Sequence, residues 1–203
     1  MPRIAIDLEN PDPALLERAA RLLQEGEIVA APSDTVYGYL ALTRSDRAYG
    51  ALSALKGRGG PFLVLVRTLE EARSWTTGVP ERVWKVLEGV WPGPVTVILP
   101  TRERMPGSQK GTLALRMPRS RFLSDLLDRV GEPLFSTSAN RPGDPPPLTA
   151  EEVAADPGSG VELVLDGGPA ASREPSTLVD LSGDTPRVVR AGRGDPGPLL
   201  DPP

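Results

Sequence analysis

The sequence predicts a single α/β domain of the α+β type, with a mixed sheet and helices packed around it. Short apolar runs typical of buried strands alternate along the chain with segments whose apolar residues recur at helical spacing. The 203 residues are 39% hydrophobic and 25% charged, which are ordinary values for a globular protein. The 21 glycines and 24 prolines mostly separate these runs and indicate many short elements joined by rigid turns.

In the first half of the chain, helix caps and prolines mark where helices begin. The predicted helices run from Pro13 to just before Gly26, from Asp46 to Lys56, after a capping box formed by Thr68 and Glu71, and from Pro80 onward. Apolar runs between these helices predict strands at 27–32, 38–43 and 62–66. Helices and strands therefore alternate through this half.

The second half continues the alternation. Strands are predicted at 94–100 and 112–116 with a polar hairpin-like loop at 102–111, then at 133–140, 161–168, 176–181 and 187–190. Ser120 caps a helix that Gly131 ends, and Thr149 with Glu152 forms another capping box. Residues 193–203, rich in glycine and proline, are predicted to form a flexible tail without a regular element, which leaves 1–192 as the single domain.

Composition excludes several classes of function. The chain has no cysteine and no histidine, so disulfides, thiol catalysis, zinc ribbons, iron–sulfur clusters and a Ser-His-Asp triad are excluded. Its 23 basic and 27 acidic residues give a net charge of −4, which does not fit a protein with a positive field over its whole surface. No apolar run approaches the ~18 residues of a membrane span, and the first residues do not resemble a signal peptide, so a cytoplasmic protein is expected.

Four polar clusters stand at the ends of predicted elements, where ligand-binding loops are common. They are SDTVYG at 33–38, KGRGGP at 56–61, TLALRMP at 112–118 and STSAN at 136–140. Each also fits a purely structural role: a turn, a helix C-terminus, an arginine at a sheet edge, and a polar strand end. Together with the later segments PST at 175–177 and RAG at 190–192, they place Arg58, Arg116 and Arg190 beside small hydroxyl residues, a combination that suits a cleft for a polyanion and a small polar molecule.

The ordered set SDTVYG, KGR, WPGPVTVIL, LALRMP, STSAN, PST and VVRAG resembles the YrdC domain family of threonylcarbamoyl-AMP synthases, over about 26–192. The resemblance implies a twisted mixed sheet flanked by helices, with a concave basic cleft. It also implies that L-threonine, bicarbonate and ATP are joined into threonylcarbamoyl-adenylate with release of pyrophosphate. That product feeds the t6A modification of tRNA through the proteins of the transfer machinery.

The same resemblance assigns site residues motif by motif. It implies a threonine site of Thr35, Arg116, Ser136 and Ser176, and an ATP site of Lys56, Arg58, Thr112, Ser138 and Arg190. It implies no metal ligand, and Mg²⁺ is expected to arrive with ATP on phosphate oxygens and water. It implies no strong general base either, because the carbamate of threonine is already an anionic nucleophile.

Two departures from the family pattern concern the substrate sites. Gly60 stands where the family usually has an asparagine, and Leu65 where many relatives carry a histidine near the threonine. Leu65 therefore predicts weaker or less selective threonine binding. The alternative is a divergent YrdC-type protein that binds tRNA or double-stranded RNA and lacks synthase activity, although the net negative charge does not favour this alternative.

Overall fold

The structure is a computed structural model, in which the described residues are 1–101, 111–155 and 160–200. These residues contain ten strands. The strands are β1 (Arg3–Ala5), β2 (Val29–Pro32), β3 (Tyr37–Leu42), β4 (Leu63–Leu65), β5 (Val95–Pro100), β6 (Thr112–Arg116), β7 (Leu134–Ser138), β8 (Leu163–Asp166), β9 (Thr177–Asp180) and β10 (Arg187–Arg190). The loop predicted at 102–111 falls, except for Gly111, outside the described residues.

Seven helices lie in the same residues. They are α1 (Pro13–Gln24), α2 (Asp46–Lys56), α3 (Leu69–Ser74), α4 (Glu81–Val90), α5 (Arg121–Val130), α6 (Ala150–Ala154) and α7 (Gly197–Leu200). The predicted caps are in place: the side chains of Thr68, Ser120 and Thr149 each accept a hydrogen bond from the backbone N–H three residues later. In the described part of the chain, no helix has the length and apolar character that crossing a membrane requires.

All ten strands join one mixed sheet in the order β1-β8-β2-β3-β7-β4-β6-β5-β9-β10. Strand β8 pairs in parallel with β1 and β2, and the pairs β4–β6 and β5–β9 are also parallel. The other neighbours are antiparallel. Because strands close in sequence are often separated in the sheet, segments from both halves of the chain meet at its centre.

An apolar cluster lies on each face of the sheet. One cluster contains side chains of α2, α4 and α6, and there the rings of Tyr49, Phe62 and Phe135 have centroids 5.8 to 6.0 Å apart. The other cluster lies beneath α1 and α5, which pack against each other, and it includes side chains of β2, β3 and β8. Burial on both faces explains why the strands are continuous apolar runs.

Helices α1 and α5 cover only part of one face of the sheet, and the uncovered part forms a cleft. Leu63 pairs with Ser136 on β7 and Ala114 on β6, and paired residues on neighbouring strands point to the same face. All three side chains line the cleft, and Leu63 also packs against the cluster beneath α1 and α5. The cleft therefore lies on the α1/α5 face, beside these two helices.

The structure corrects the sequence analysis at both ends of the chain. Strand β1 was not predicted, because three residues give too short a pattern; pairing with β8 stabilises it. The prediction of a tail without a regular element is wrong for residues 197–200, which form α7. Leu199 on α7 is buried in the cluster that includes side chains of α4. This tertiary contact stabilises a helix that the local sequence does not predict.

Candidate active site

The cleft has a volume of about 620 Å³ and collects polar side chains from segments that lie far apart in the sequence. It is lined by every residue that the sequence analysis assigned to a substrate. These are Thr35, Lys56, Arg58, Thr112, Arg116, Ser136, Ser138, Ser176 and Arg190. The fold brings all of them into one cavity, while the assignment of each residue to threonine or ATP stays a prediction.

Arg116 lies in the wall of this cleft with its guanidinium held at all three nitrogens. Nε donates to the carbonyl oxygen of Gly93 at 3.1 Å, Nη1 to Oγ1 of Thr35 at 3.0 Å, and Nη2 to Oδ1 of Asp34 at 2.6 Å. The residue is 3% exposed; burial lowers the pKa of Arg116, and Asp34 opposes that effect. A guanidinium has five N–H donors, so two remain for a ligand.

Thr35 places a hydroxyl beside Arg116. Ser33 Oγ accepts the backbone N–H of Thr35 at 3.1 Å and of Val36 at 3.2 Å, and donates to the carbonyl oxygen of Val36 at 2.8 Å. Ser33 Oγ lies 3.0 Å from Thr35 Oγ1, and either hydroxyl can donate across this contact. Because a hydroxyl group rotates, the proton of Thr35 can turn from Ser33 to a ligand, and this end of the cleft offers N–H and O–H donors suited to a carboxylate.

Ser176 forms another wall of the cleft. Its hydroxyl hydrogen-bonds Oγ1 of Thr96 at 2.7 Å, and its carbonyl oxygen accepts from Nη2 of Arg190 at 2.9 Å. Burial lowers the pKa of Arg190. The chain returns past this wall at Gly192, where a Cβ would lie 2.3 Å from the carbonyl oxygen of Pro175. The glycine of the VVRAG motif is thus required for close backbone approach.

Lys56, the last residue of α2, is directed into the loop that follows β7. Its Nζ donates to the carbonyl oxygens of Ser138 at 3.0 Å and Asn140 at 2.6 Å, and lies 3.3 Å from Oδ1 of Asn140. Burial and the nearby charge of Arg58 lower the pKa of Lys56 to about 8. Lys56 therefore anchors the STSAN segment and places a positive charge in the cleft wall.

Arg58 is an exposed residue that also lines the cleft. Its Nη1 donates to the carbonyl oxygens of Gly60 and Pro61, and its guanidinium lies over the ring of Phe62, 5.5 Å from the centroid. Gly60, the residue that departs from the family pattern, thus helps to hold Arg58 through its backbone. The exposed position leaves the remaining donors of Arg58 accessible to an anion.

The charge of the lining favours anionic ligands. Four lining side chains are cationic, and among the described residues none of the lining side chains is a carboxylate. Asp34 lies next to Arg116 but outside the lining. A low-dielectric cavity with one sign of charge raises the local concentration of ligands of opposite charge.

Leu65 is not in the cleft, so the expectation that it contacts the threonine site is wrong. Its side chain is buried in the cluster beneath α1 and α5, together with Phe122 and Leu126 of α5. Leu63, on the same face of β4, lines the cleft instead. The two positions differ because Leu65 lies inside the buried cluster, whereas Leu63 lies at its border and faces the cleft.

Sequence reasoning missed three residues of this site: Asp34, Thr96 and Asn140. Thr96 shares a strand face with Ile98, and the period of two along β5 could have indicated it. Asp34 and Asn140 lie inside the recognised motifs SDTVYG and STSAN, but their partners Arg116 and Lys56 are distant in sequence. Only the fold shows these pairings.

Comparison with known proteins identifies the family. A family model named Sua5_yciO_yrdC and described as "Telomere recombination" matches residues 21–192. The chain belongs to the Sua5/YciO/YrdC family. The match confirms the resemblance drawn from the seven ordered motifs and covers most of the described chain.

Members of the Sua5/YciO/YrdC family extend this match over nearly the whole chain. A protein of Mycobacterium tuberculosis named a putative threonylcarbamoyl-AMP synthase is 36% identical over 179 residues, which cover 86% of this chain and 82% of that protein. The crystal structure of Pyrococcus abyssi Sua5 complexed with L-threonine matches at 30% identity with a TM-score of 0.87, over 95% of this chain and 58% of the Sua5 chain. The crystal structure of Escherichia coli YciO matches at 27% identity with a TM-score of 0.88, over 98% of this chain and 99% of the YciO chain.

These comparisons confirm the predicted mixed α/β fold. The chain spans less than two thirds of the Pyrococcus Sua5 chain but almost all of YciO.

Proposed function

We propose that this protein is a threonylcarbamoyl-AMP synthase. It would join L-threonine, bicarbonate and ATP into threonylcarbamoyl-adenylate and release pyrophosphate, supplying the activated group for the t6A modification of tRNA. The observation that carries this proposal is the single cleft in which Arg116 and Thr35 offer donors to a carboxylate while Lys56, Arg58 and Arg190 supply positive charge. The names of the mycobacterial and Pyrococcus relatives support the choice of substrates.

Threonine would bind at the Arg116 end of the cleft. Its carboxylate would accept from the two remaining N–H donors of Arg116 and from the hydroxyl of Thr35. Ser136 and Ser176 would contact its hydroxyl and amine, since both line the same cavity. Ser176 is held by Thr96, which keeps its hydroxyl in place.

The chemistry would run in two steps. The neutral amine of threonine and bicarbonate give the carbamate and one water. A carbamate oxygen then attacks the α-phosphorus of ATP; a new O–P bond forms, the bond from this phosphorus to the bridging oxygen breaks, and pyrophosphate leaves with the electron pair. Because the nucleophile is already anionic, the protein's task is to orient the reactants and neutralise charge.

The nucleotide would lie near Arg58, Lys56 and Arg190, with Thr112 and Ser138 contacting it as hydroxyl residues. Guanidinium groups bind phosphate oxygens in bidentate fashion, which suits Arg58 and Arg190. We treat Mg²⁺ as part of the nucleotide substrate, carried on its phosphates and water. The product would pass to t6A transfer proteins and tRNA in the cytoplasm.

The direct test is incubation of the purified protein with ATP, bicarbonate and threonine. We expect pyrophosphate release that requires both bicarbonate and threonine, and an adenylate product with the mass of threonylcarbamoyl-AMP. Serine and other amino acids run alongside would establish substrate choice. Tight tRNA or double-stranded RNA binding without amino-acid-dependent turnover would instead support the RNA-binding alternative.

The variant Arg116→Lys tests whether this activity depends on the cleft. Arg116→Lys keeps the charge but cannot reproduce the planar set of donors, so it should stay folded, bind ATP, and lose most threonine-dependent pyrophosphate release. Arg121→Lys, at an exposed arginine paired with Asp125 outside the cleft, is the matched control and should keep its activity. Near-normal turnover by Arg116→Lys would remove Arg116 from the substrate site.

A further inference from the structure

Asp34 is a carboxylate beside the cleft that the steps above do not use. Its Oδ1 accepts from Nη2 of Arg116 at 2.6 Å, and its Oδ2 accepts the backbone N–H of Arg119 at 3.0 Å. Its carbonyl oxygen lies 3.5 Å from Nη1 of Arg193. The side chain is 12% exposed. One carboxylate thus connects the β2–β3 loop with the segment after β6, while its backbone meets the segment after β10.

A carboxylate next to Arg116 can either weaken or strengthen the binding of a substrate carboxylate. It competes with the substrate carboxylate for the guanidinium of Arg116, in which case removing Asp34 would strengthen binding. Alternatively, it fixes the orientation of the guanidinium, in which case removing Asp34 would weaken binding. The two roles predict opposite signs for the same substitution.

The geometry favours the second role. Arg116 and Thr35 line the cleft and Asp34 does not, so the N–H that Asp34 accepts is directed away from the cavity. The second oxygen of Asp34 is bound to the backbone of Arg119, which prevents the carboxylate from swinging aside. Competition would require that bond to break or the substrate to enter behind the cleft wall.

Fixation also follows from the partners of Arg116. Gly93 and Thr35 hold Nε and Nη1, and Asp34 is the acceptor for Nη2 among the described residues. Without the charged acceptor, the guanidinium would keep two weaker neutral bonds and gain freedom to rotate about its long side chain. The two donors meant for the ligand would then spread over several orientations, and the affinity gained from a preorganised pair would be lost.

We propose that Asp34 is the positioning residue of the amino-acid site, holding Arg116 so that its two free N–H donors face the substrate carboxylate. The proposal takes threonine as the ligand from the proposed function. The fixation of the guanidinium is a property of the unliganded protein, so it is testable whether or not threonine binds.

The test uses Asp34→Asn, which is nearly isosteric and retains an acceptor for the backbone of Arg119. We expect the Kd and KM for threonine to rise at least tenfold, while the Kd for ATP stays within twofold of the wild type. Asp128→Asn is the matched control, because Asp128 pairs with Arg67 at 3.0 Å on the surface, and it should change neither value. Unchanged or tighter threonine binding in Asp34→Asn would overturn the proposal.

A second measurement separates this inference from the proposed function. Nitrogen-15 NMR of the arginine side chains should resolve two Nη signals for Arg116 in the wild type, assigned by their loss in Arg116→Lys, and these should merge in Asp34→Asn as rotation becomes fast. Failure of the wild type to bind threonine would refute the proposed function but would not affect the claim that Asp34 fixes the guanidinium of Arg116. Two resolved Nη signals in Asp34→Asn would refute the positioning role by themselves.

Discussion

Lys56 gives the protein a stability that depends on pH in a direction opposite to that of a lysine held in an ion pair. Lys56 is 4% exposed, and burial together with the charge of Arg58 lowers its pKa from 10.5 to about 8. The unfolded chain therefore binds more protons than the folded protein between about pH 8 and pH 10.5. Stability should rise with pH across that window, because the cost of burying the charge disappears once Lys56 is neutral.

The size of this effect follows from the two pKa values. Each pH unit between them changes the free energy of unfolding by about 1.36 kcal/mol. Over the full window this free energy rises by about 3 kcal/mol, and most of the rise is complete by pH 10. Below pH 8, Lys56 is protonated in both the folded and the unfolded chain, and the full cost of burying its charge is present. Lys56→Met removes the titration, so the free energy of unfolding of the wild type minus that of Lys56→Met should increase by about this amount from pH 7 to pH 10.

Urea unfolding followed by tryptophan fluorescence at pH 7, 8, 9 and 10 measures this difference. Lys85→Met, at an exposed position of α4, is the matched control, and its difference from the wild type should stay constant. Because the chain has only three lysines, NMR of ¹³Cε-labelled lysine also reads the pKa of Lys56 directly. Parallel stability curves for wild type and Lys56→Met, with a Lys56 pKa near 10.5, would refute the reasoning.

Three further predictions test the cleft and the core. Arg190→Ala should weaken ATP binding by about 1.5–3 kcal/mol, the scale of a hydrogen bond to a charged group, whereas Arg187→Ala on the same strand should not; equal affinities by calorimetry would contradict this. Leu199→Ala should lower the free energy of unfolding by about 2–5 kcal/mol because its side chain is buried, and an unchanged urea midpoint would show that α7 does not contribute to stability. Leu65→Ala should cost about as much stability and leave the threonine Kd unchanged; a changed Kd in a protein of normal stability would return Leu65 to the substrate site.

Local patterns in the sequence were sufficient to predict most elements. Helix α2 begins and ends at the predicted residues, because the side chain of Ser45 caps its first turn and Gly57, at φ 58°, ends it. Strand β6 likewise has the predicted bounds, and its period of two correctly placed Thr112 and Arg116 on one face. These features depend on residues within a few positions of each other.

The candidate site was predictable in its membership but not in its geometry. Every residue assigned from the ordered motifs lines the cleft, because those motifs stand at strand ends that meet in the sheet. The exclusion of Leu65 could not be predicted, since it depends on side chains of the distant helices α1 and α5 that form one buried cluster with it. Alternation along a strand specifies a face, but not what packs on it.

The sequence by itself determined the order of most helices and strands, the family, and the set of polar residues available for chemistry, since these are properties of short stretches of chain. Only the tertiary structure decided that Asp34 holds Arg116, that Lys56 is buried against Asn140, and that α7 packs beside α4. Each of these contacts joins residues far apart in the chain. Their energies depend on burial and distance, and both quantities arise only when the sheet brings the two halves of the chain together.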